Sequence, residues 1–138
     1  LKLAYEAGME VLFVPKAEKA EHPNSVKMLL RKGTRKLSVT GISIGGGNIQ
    51  ISELNGFKIS LSMGTPTLII VHRDVPGMIA KVTNILSETN TNIGTMTVTR
   101  ESKGENAIMI IEVDDPQVDD TVKKLNQLPN IDSVNYFD

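Results

Sequence analysis

The run Thr67-Leu68-Ile69-Ile70-Val71-His72, followed by Arg73-Asp74-Val75-Pro76-Gly77, constrains this chain more than any other part of it. A short segment rich in β-branched residues reads as a buried strand, and Pro then Gly force a turn directly after it. Beyond the turn Ile79, Val82, Ile85 and Leu86 recur at helical spacing, with Lys81, Thr83 and Glu88 on the other face. Asn90 and Asn92 close that helix. Residues 93–99 then alternate Ile93, Thr95, Thr97 and Thr99 against Gly94, Met96 and Val98, which is strand periodicity. Residues 102–106 read as a hairpin loop and residues 107–113 as the returning strand. Asp115 and Pro116 suit the N-cap and first position of a second helix, whose buried face is Val118, Val122 and Leu125. Leu128-Pro129-Asn130 stops it, and residues 131–137 form a last strand.

This order, β-α-β-β-α-β, is the ferredoxin-like unit: four strands in one sheet with both helices on one face. The other face needs a cover. A second copy of the domain is the expected one, which predicts self-association.

The first half is a different kind of chain. Residues 1–63 carry nine Lys/Arg against five Asp/Glu, a balance of +4, and residues 64–138 carry six against eleven, a balance of −5. Such a division predicts two domains, 1–63 and 64–138. The basic half lacks stacking aromatics and a dense Arg cluster, so no nucleic-acid partner is expected. With 40% hydrophobic residues, 4% aromatics and no Trp, the core must be built from Ile, Val, Leu and Met. There is no cysteine, which excludes disulfides, thiolate nucleophiles and any Cys-held zinc or iron–sulfur site in this chain. His22 and His72 stand alone, so no metal site is expected. The apolar runs are too short to span a bilayer and nothing reads as a signal peptide, so a cytoplasmic location without a membrane partner is expected. The opening segment, from Leu1, reads as the end of a helix and suggests a fragment.

Within residues 1–63, residues 11–14 read as a strand stopped by Pro15. Val26, Leu29 and Leu30 form a helical stripe, with Asn24 or Ser25 as N-cap and Gly33 as C-cap. Residues 36–44, 48–54 and 57–63 read as strands, separated by Gly45-Gly46-Gly47 and by Asn55-Gly56, a two-residue hairpin signal. A helix N-terminus exposes unpaired N–H groups, and a triple-glycine loop can turn several more inward. His22, Asn24, Ser25 and Ser43 would add side-chain donors. These features suggest an anion site; an ordinary capping sequence and a flexible hairpin tip are the alternative. The spacing is not that of a nucleotide-binding P-loop.

Two resemblances sharpen the reading. A strand followed by Asp-x-Pro-Gly-x-Ile at a helix start resembles the ACT family of amino-acid-sensing regulatory domains, over residues 65–138. The resemblance implies that Gly77 admits a ligand to the backbone, and that His72, Asp74, Gly77 and Asn92 form a candidate loop site. In the ACT tail of phosphoglycerate dehydrogenases the loop reads His-x-Asn-x-Pro-Gly, and its His and Asn help hold serine. Here His72 and the matching Asn92 are kept, but Asp74 replaces the Asn. A carboxylate receives an ammonium group and repels a carboxylate, so that site does not transfer unchanged.

His22-Pro23-Asn24-Ser25, then Gly41-Ile42-Ser43-Ile44-Gly45-Gly46-Gly47, then an ACT domain resembles the β chains of bacterial iron–sulfur L-serine dehydratases. This implies an α+β fold class: part of an allosteric substrate-binding domain (mixed α/β) in 1–63, then a ferredoxin-like βαββαβ ACT domain in 64–138. It further implies that His22, Asn24, Ser25, Ser43, Gly45, Gly46 and Gly47 hold the carboxylate of L-serine or a similar small effector. Such enzymes convert L-serine to pyruvate and ammonia with a [4Fe-4S] cluster. Cluster ligands are cysteines, so cluster and chemistry are expected on a partner α chain. This chain is expected to bind no cofactor and to supply no catalytic residue. A regulatory tail of a phosphoglycerate dehydrogenase and a stand-alone amino-acid-binding module remain as other readings.

Overall fold

In the computed structural model, which describes residues 1–16, 21–62, 64–114 and 117–138, the chain forms two four-stranded sheets. A one-turn helix α1 (Lys2–Glu6) precedes the first. That sheet is an antiparallel meander of β1 (Ser25–Lys32), β2 (Arg35–Gly45), β3 (Asn48–Leu54) and β4 (Phe57–Ser62), in that spatial order.

The helix expected after Asn24 is therefore a strand. Val26, Leu29 and Leu30 fit a helical stripe, but Val26, Met28 and Leu30 alternate against Lys27 and Arg31 equally well. The tie is broken by a long-range partner, because every residue from Ser25 to Lys32 pairs with β2. Gly33, with φ +59, is then a turn residue between the paired Lys32 and Arg35 and not a helix C-cap. Asn55 (φ +50) and Gly56 (φ +92) make the expected tight hairpin, since both central positions need positive φ. Asn55 is further held to β2: its Oδ1 accepts the Ser38 N–H at 2.9 Å. The strand expected at residues 11–14 is not formed; these residues belong to no ladder, and Leu12 and Phe13 are exposed.

The second sheet is built from β5 (Thr67–Arg73), α2 (Met78–Glu88), β6 (Ile93–Arg100), β7 (Asn106–Val113), α3 (Asp119–Leu125) and β8 (Ile131–Phe137). Its spatial order is β6-β7-β5-β8, with the ferredoxin-like connectivity read from the sequence. Leu68, Ile70, Met109 and Ile111 on its helix face are fully buried against Val82, Leu86 and Leu125. Each such side chain contributes about 1.5–3 kcal/mol by leaving water. The helical stripe runs one residue earlier than the spacing suggested. Met78 is buried, whereas Ile79 is half exposed, because α2 starts at Met78 and faces the sheet with positions 78, 82 and 86. The Asp115-Pro116 start of the second helix lies outside the described residues; α3 itself begins at Asp119, with Val118 and Leu125 buried as expected.

The other face of this sheet has a cover within the chain. Phe57 and Leu61 of β4 pack on Ile69 of β5 and on Ile108 and Ile110 of β7, flanked by Ile51, Leu54, Ile59 and Val71. A second copy is not needed there.

Candidate functional site

At one end of the meander the structure brings together the two loops that the sequence singled out. The start of β1 lies beside the end of β2, where Ser25 pairs with Ile42. Just outside that pair, the Ser43 N–H donates to the Asn24 carbonyl oxygen at 2.9 Å. The β2–β3 connection then turns through Gly45, Gly46 and Gly47, with φ of +90, +62 and +80. Three consecutive left-handed residues suit glycine alone. A Cβ at Gly45 or Gly47 would meet nothing within 4 Å, so the backbone there is open to an incoming group.

The hydrogen bonding at this end favours an anion. The Asn24 N–H donates to His22 Nδ1 at 3.2 Å, so that nitrogen holds the lone pair and Nε2 carries the proton. His22 therefore presents a donor, as do the Asn24 amide and the Ser43 hydroxyl. Ser25, which opposes Ile42, projects from the other face of the sheet than Ser43 and is not brought to the same side. The approach to β1 is tied across the sheet by Glu21, whose carboxylate accepts from Lys58 Nζ on β4 at 2.8 Å. That hydrogen bond and the charge of Lys58 hold the Glu21 carboxyl below its ordinary range. The site is an exposed shelf, and no helix dipole contributes, because β1 is a strand.

The second candidate group divides. His72 is buried at the end of β5, its Nδ1 2.7 Å from the Arg73 carbonyl oxygen. A carbonyl only accepts, so Nδ1 carries the proton and the buried Nε2 is an acceptor, with no hydrogen-bond partner among the described residues. Asp74 is engaged: its Oδ2 accepts from the Gly104 N–H at 3.2 Å and from Arg100 at 3.0 Å. These bonds, the Gly104 one foremost, keep the Asp74 carboxyl below the usual carboxylate range. Gly77 (φ +85) is the N-cap of α2, and that helix start has no side-chain cap. The loop thus offers an acceptor at Asp74 alone, which suits an ammonium or hydroxyl group better than a carboxylate, while His72 Nε2 is sealed inside the domain.

Asn92 is not part of this group within one chain. β5 and β6 both run antiparallel to β7, so they are parallel to each other. Asp74 follows the end of β5 and Asn92 precedes the start of β6, which puts the two at opposite ends of the sheet, about 25 Å apart for a strand of this length. Asn92 Nδ2 donates instead to Asp114 at 2.6 Å. Arg100 is the residue that sequence reasoning missed at this turn. Its spacing from Asp74 carries no local signal; only the parallel alignment of β5 and β6 brings the two together.

Among the described residues, no group of three or more His, Asp or Glu could hold a metal ion, and no helix is long and apolar enough to cross a membrane.

Comparison with known proteins accounts for both halves. Residues 67–130 match the ACT domain family. The chain is 40% identical to the probable L-serine dehydratase β chain of Bacillus subtilis, over 95% of this chain and 60% of that one. It is 30% identical to the L-serine dehydratase β chain of Peptoniphilus asaccharolyticus, over 83% of this chain and 53% of that one. It is also 31% identical to the D-3-phosphoglycerate dehydrogenase of Bacillus subtilis, over 99% of this chain but only 26% of that enzyme. The chain spans about three fifths of the first of these relatives. Its second half is therefore an ACT domain of ferredoxin-like fold, carried by a chain similar along nearly its whole length to L-serine dehydratase β chains.

Proposed function

We propose that this chain is the regulatory portion of an L-serine dehydratase, the enzyme that converts L-serine to pyruvate and ammonia. Catalysis resides on an α chain that holds the [4Fe-4S] cluster. The donor chemistry supports that division: such clusters are held by cysteine thiolates, and this chain has none. In this reading residues 1–63 are part of an allosteric substrate-binding domain, and the effector is L-serine or a similar small carboxylate.

The observation that carries the reading is the Ser43 N–H bond to the Asn24 carbonyl, which sets the segment bearing His22 and Asn24 beside the end of β2 that leads into Gly45, Gly46 and Gly47. Two loops far apart in sequence supply several hydrogen-bond donors around backbone left open by glycine. The ACT turn serves a different part. Asp74 presents an acceptor there, and Asn92 could join it only from the sheet of a second copy.

Isothermal titration with L-serine tests the assignment. Binding is expected, and it should weaken by about tenfold or more when Asn24 and Ser43 are both changed to Ala, through the loss of hydrogen bonds to a charged group. Unchanged affinity in that double variant would remove the meander site.

A further inference from the structure

Lys58 follows Phe57, whose side chain packs on the ACT sheet, so it projects from the opposite face of the meander. Register puts it at the end of a row that crosses all four strands. Lys27 opposes Thr40, Thr40 opposes Glu53, and Glu53 opposes Lys58. Side chains in such a row share a face. Lys27 and Glu53 meet across the short Thr40 side chain at 2.7 Å, and Lys58 pairs with Glu21 at 2.8 Å. The signs alternate along Lys27, Glu53, Lys58 and Glu21. The Glu21 hydrogen bond foremost, then its charge, raises the Lys58 ammonium above its ordinary range, and the charge of Glu53 adds to this.

Glu21 belongs to the segment that leads into β1, whereas Lys58 lies on β4. Those strands are the two edges of the sheet, three strand spacings or about 14 Å apart. The ion pair therefore ties the approach to β1 to the far edge. The other end of that segment is held by the Asn24 carbonyl, which accepts the Ser43 N–H at 2.9 Å. His22 and Asn24 are thus carried between two anchors. We propose that Lys58 is a positioning residue for the effector site, acting through Glu21 on the segment that bears His22 and Asn24. The inference rests on the effector reading of this end of the meander. An exposed ion pair is a weak, salt-screened tie, so part of the effector affinity depends on ionic strength.

Lys58→Gln tests it with two readouts. In hydrogen exchange without effector, the Ser43 amide should exchange about twofold to fivefold faster. The Asn55 amide, bonded to the Ser38 carbonyl toward the other end of β2, should keep its rate. In titration with L-serine the Kd should rise by the same factor at low salt. It should converge on that of the unaltered chain at about 1 M salt, where the Debye length is about 3 Å. Glu21→Gln should reproduce both effects, and the double variant should be no worse than either single one. Lys58→Arg should behave as the unaltered chain, because arginine keeps the charge. An unchanged Ser43 amide, or effects of Glu21→Gln and Lys58→Gln that add, would overturn the tie. A Ser43 amide that responds while L-serine affinity stays unchanged would overturn the positioning role. A chain in which Ser43 responds but L-serine never binds would support the tie and overturn the effector reading.

Discussion

Asp74 and Arg100, 26 positions apart, meet at 3.0 Å where the ends of two parallel strands come level. With the Gly104 N–H on the same carboxylate oxygen and the Asp74 N–H on the Glu105 carbonyl at 2.8 Å, the turn before α2 is fastened to the β6–β7 hairpin. The residue at which this loop departs from the serine-holding sequence of phosphoglycerate dehydrogenases is thus engaged in holding two loops together.

The Asp74 carboxyl has a folded-state pKa below its unfolded one. Its contribution is accordingly present above the ordinary carboxylate range and lost as pH falls through the lowered value. The pair is solvent-exposed, so the effect on global stability is small. In an NMR titration the Gly104 amide should move as Asp74 protonates, with a midpoint below that of an ordinary Asp carboxyl. Asp74→Asn should remove that step. A Gly104 amide indifferent to the protonation of Asp74 would contradict the fastening.

Three threonine hydroxyls close a ring between the two helices. Thr89 and Thr91 are 3.1 Å apart, Thr91 and Thr121 3.0 Å, and Thr121 donates to Thr89 at 2.8 Å. Thr91 and Thr121 are buried, so replacing either by Val leaves its partners short of a bond in a dry place. Denaturant unfolding should show a loss of about 1–3 kcal/mol for Thr121→Val. The Thr91→Val, Thr121→Val pair should cost less than the sum of the single changes, because the ring is already open after the first. Additive costs would mean that the hydroxyls act independently.

The contact between the sheets makes the ACT half dependent on the meander. Phe57→Ala empties part of that contact and should cost about 3 kcal/mol. A chain cut to residues 64–138 bares Ile69, Ile108 and Ile110, and it should associate or aggregate at concentrations where the whole chain does not. A monomeric cut chain of undiminished stability would show that the β3–β4 hairpin contributes nothing.

The second half was legible in the sequence because its signals are local. Residues 67–72 show β-branched burial and Pro76 and Gly77 a turn; residues 93–99 show the alternation of a strand, although a register shift between Ile93 and Thr95 puts Ile93 and Met96 on the same core. Asn55-Gly56 was legible for the same reason, since positive φ at both positions is a property of those two residues. The β1 segment was misread because Val26 to Leu30 fits both periods, and only pairing with β2, outside any local window, decides between them. The strand expected at residues 11–14 failed the opposite way: its propensity is high, but among the described residues it has no partner strand. For the candidate sites, the donors expected from a helix N-terminus after Asn24 are absent because β1 is a strand. Register, and not a helix, brings Ser25 beside Ile42. Asn92 was grouped with Asp74 by resemblance, and strand direction separates them.

The two candidate sites lie on different loops, residues 22–25 with 43–47 and residues 72–77, so one residue-resolved titration distinguishes them. Backbone chemical shifts followed during addition of L-serine give the most direct test of the account. Shifts should concentrate at residues 22–25, at Ser43 and at Gly45, Gly46 and Gly47, and Asn24→Ala with Ser43→Ala should move them to at least about tenfold higher L-serine concentration. Shifts confined to residues 72–77, or none at all, would contradict it.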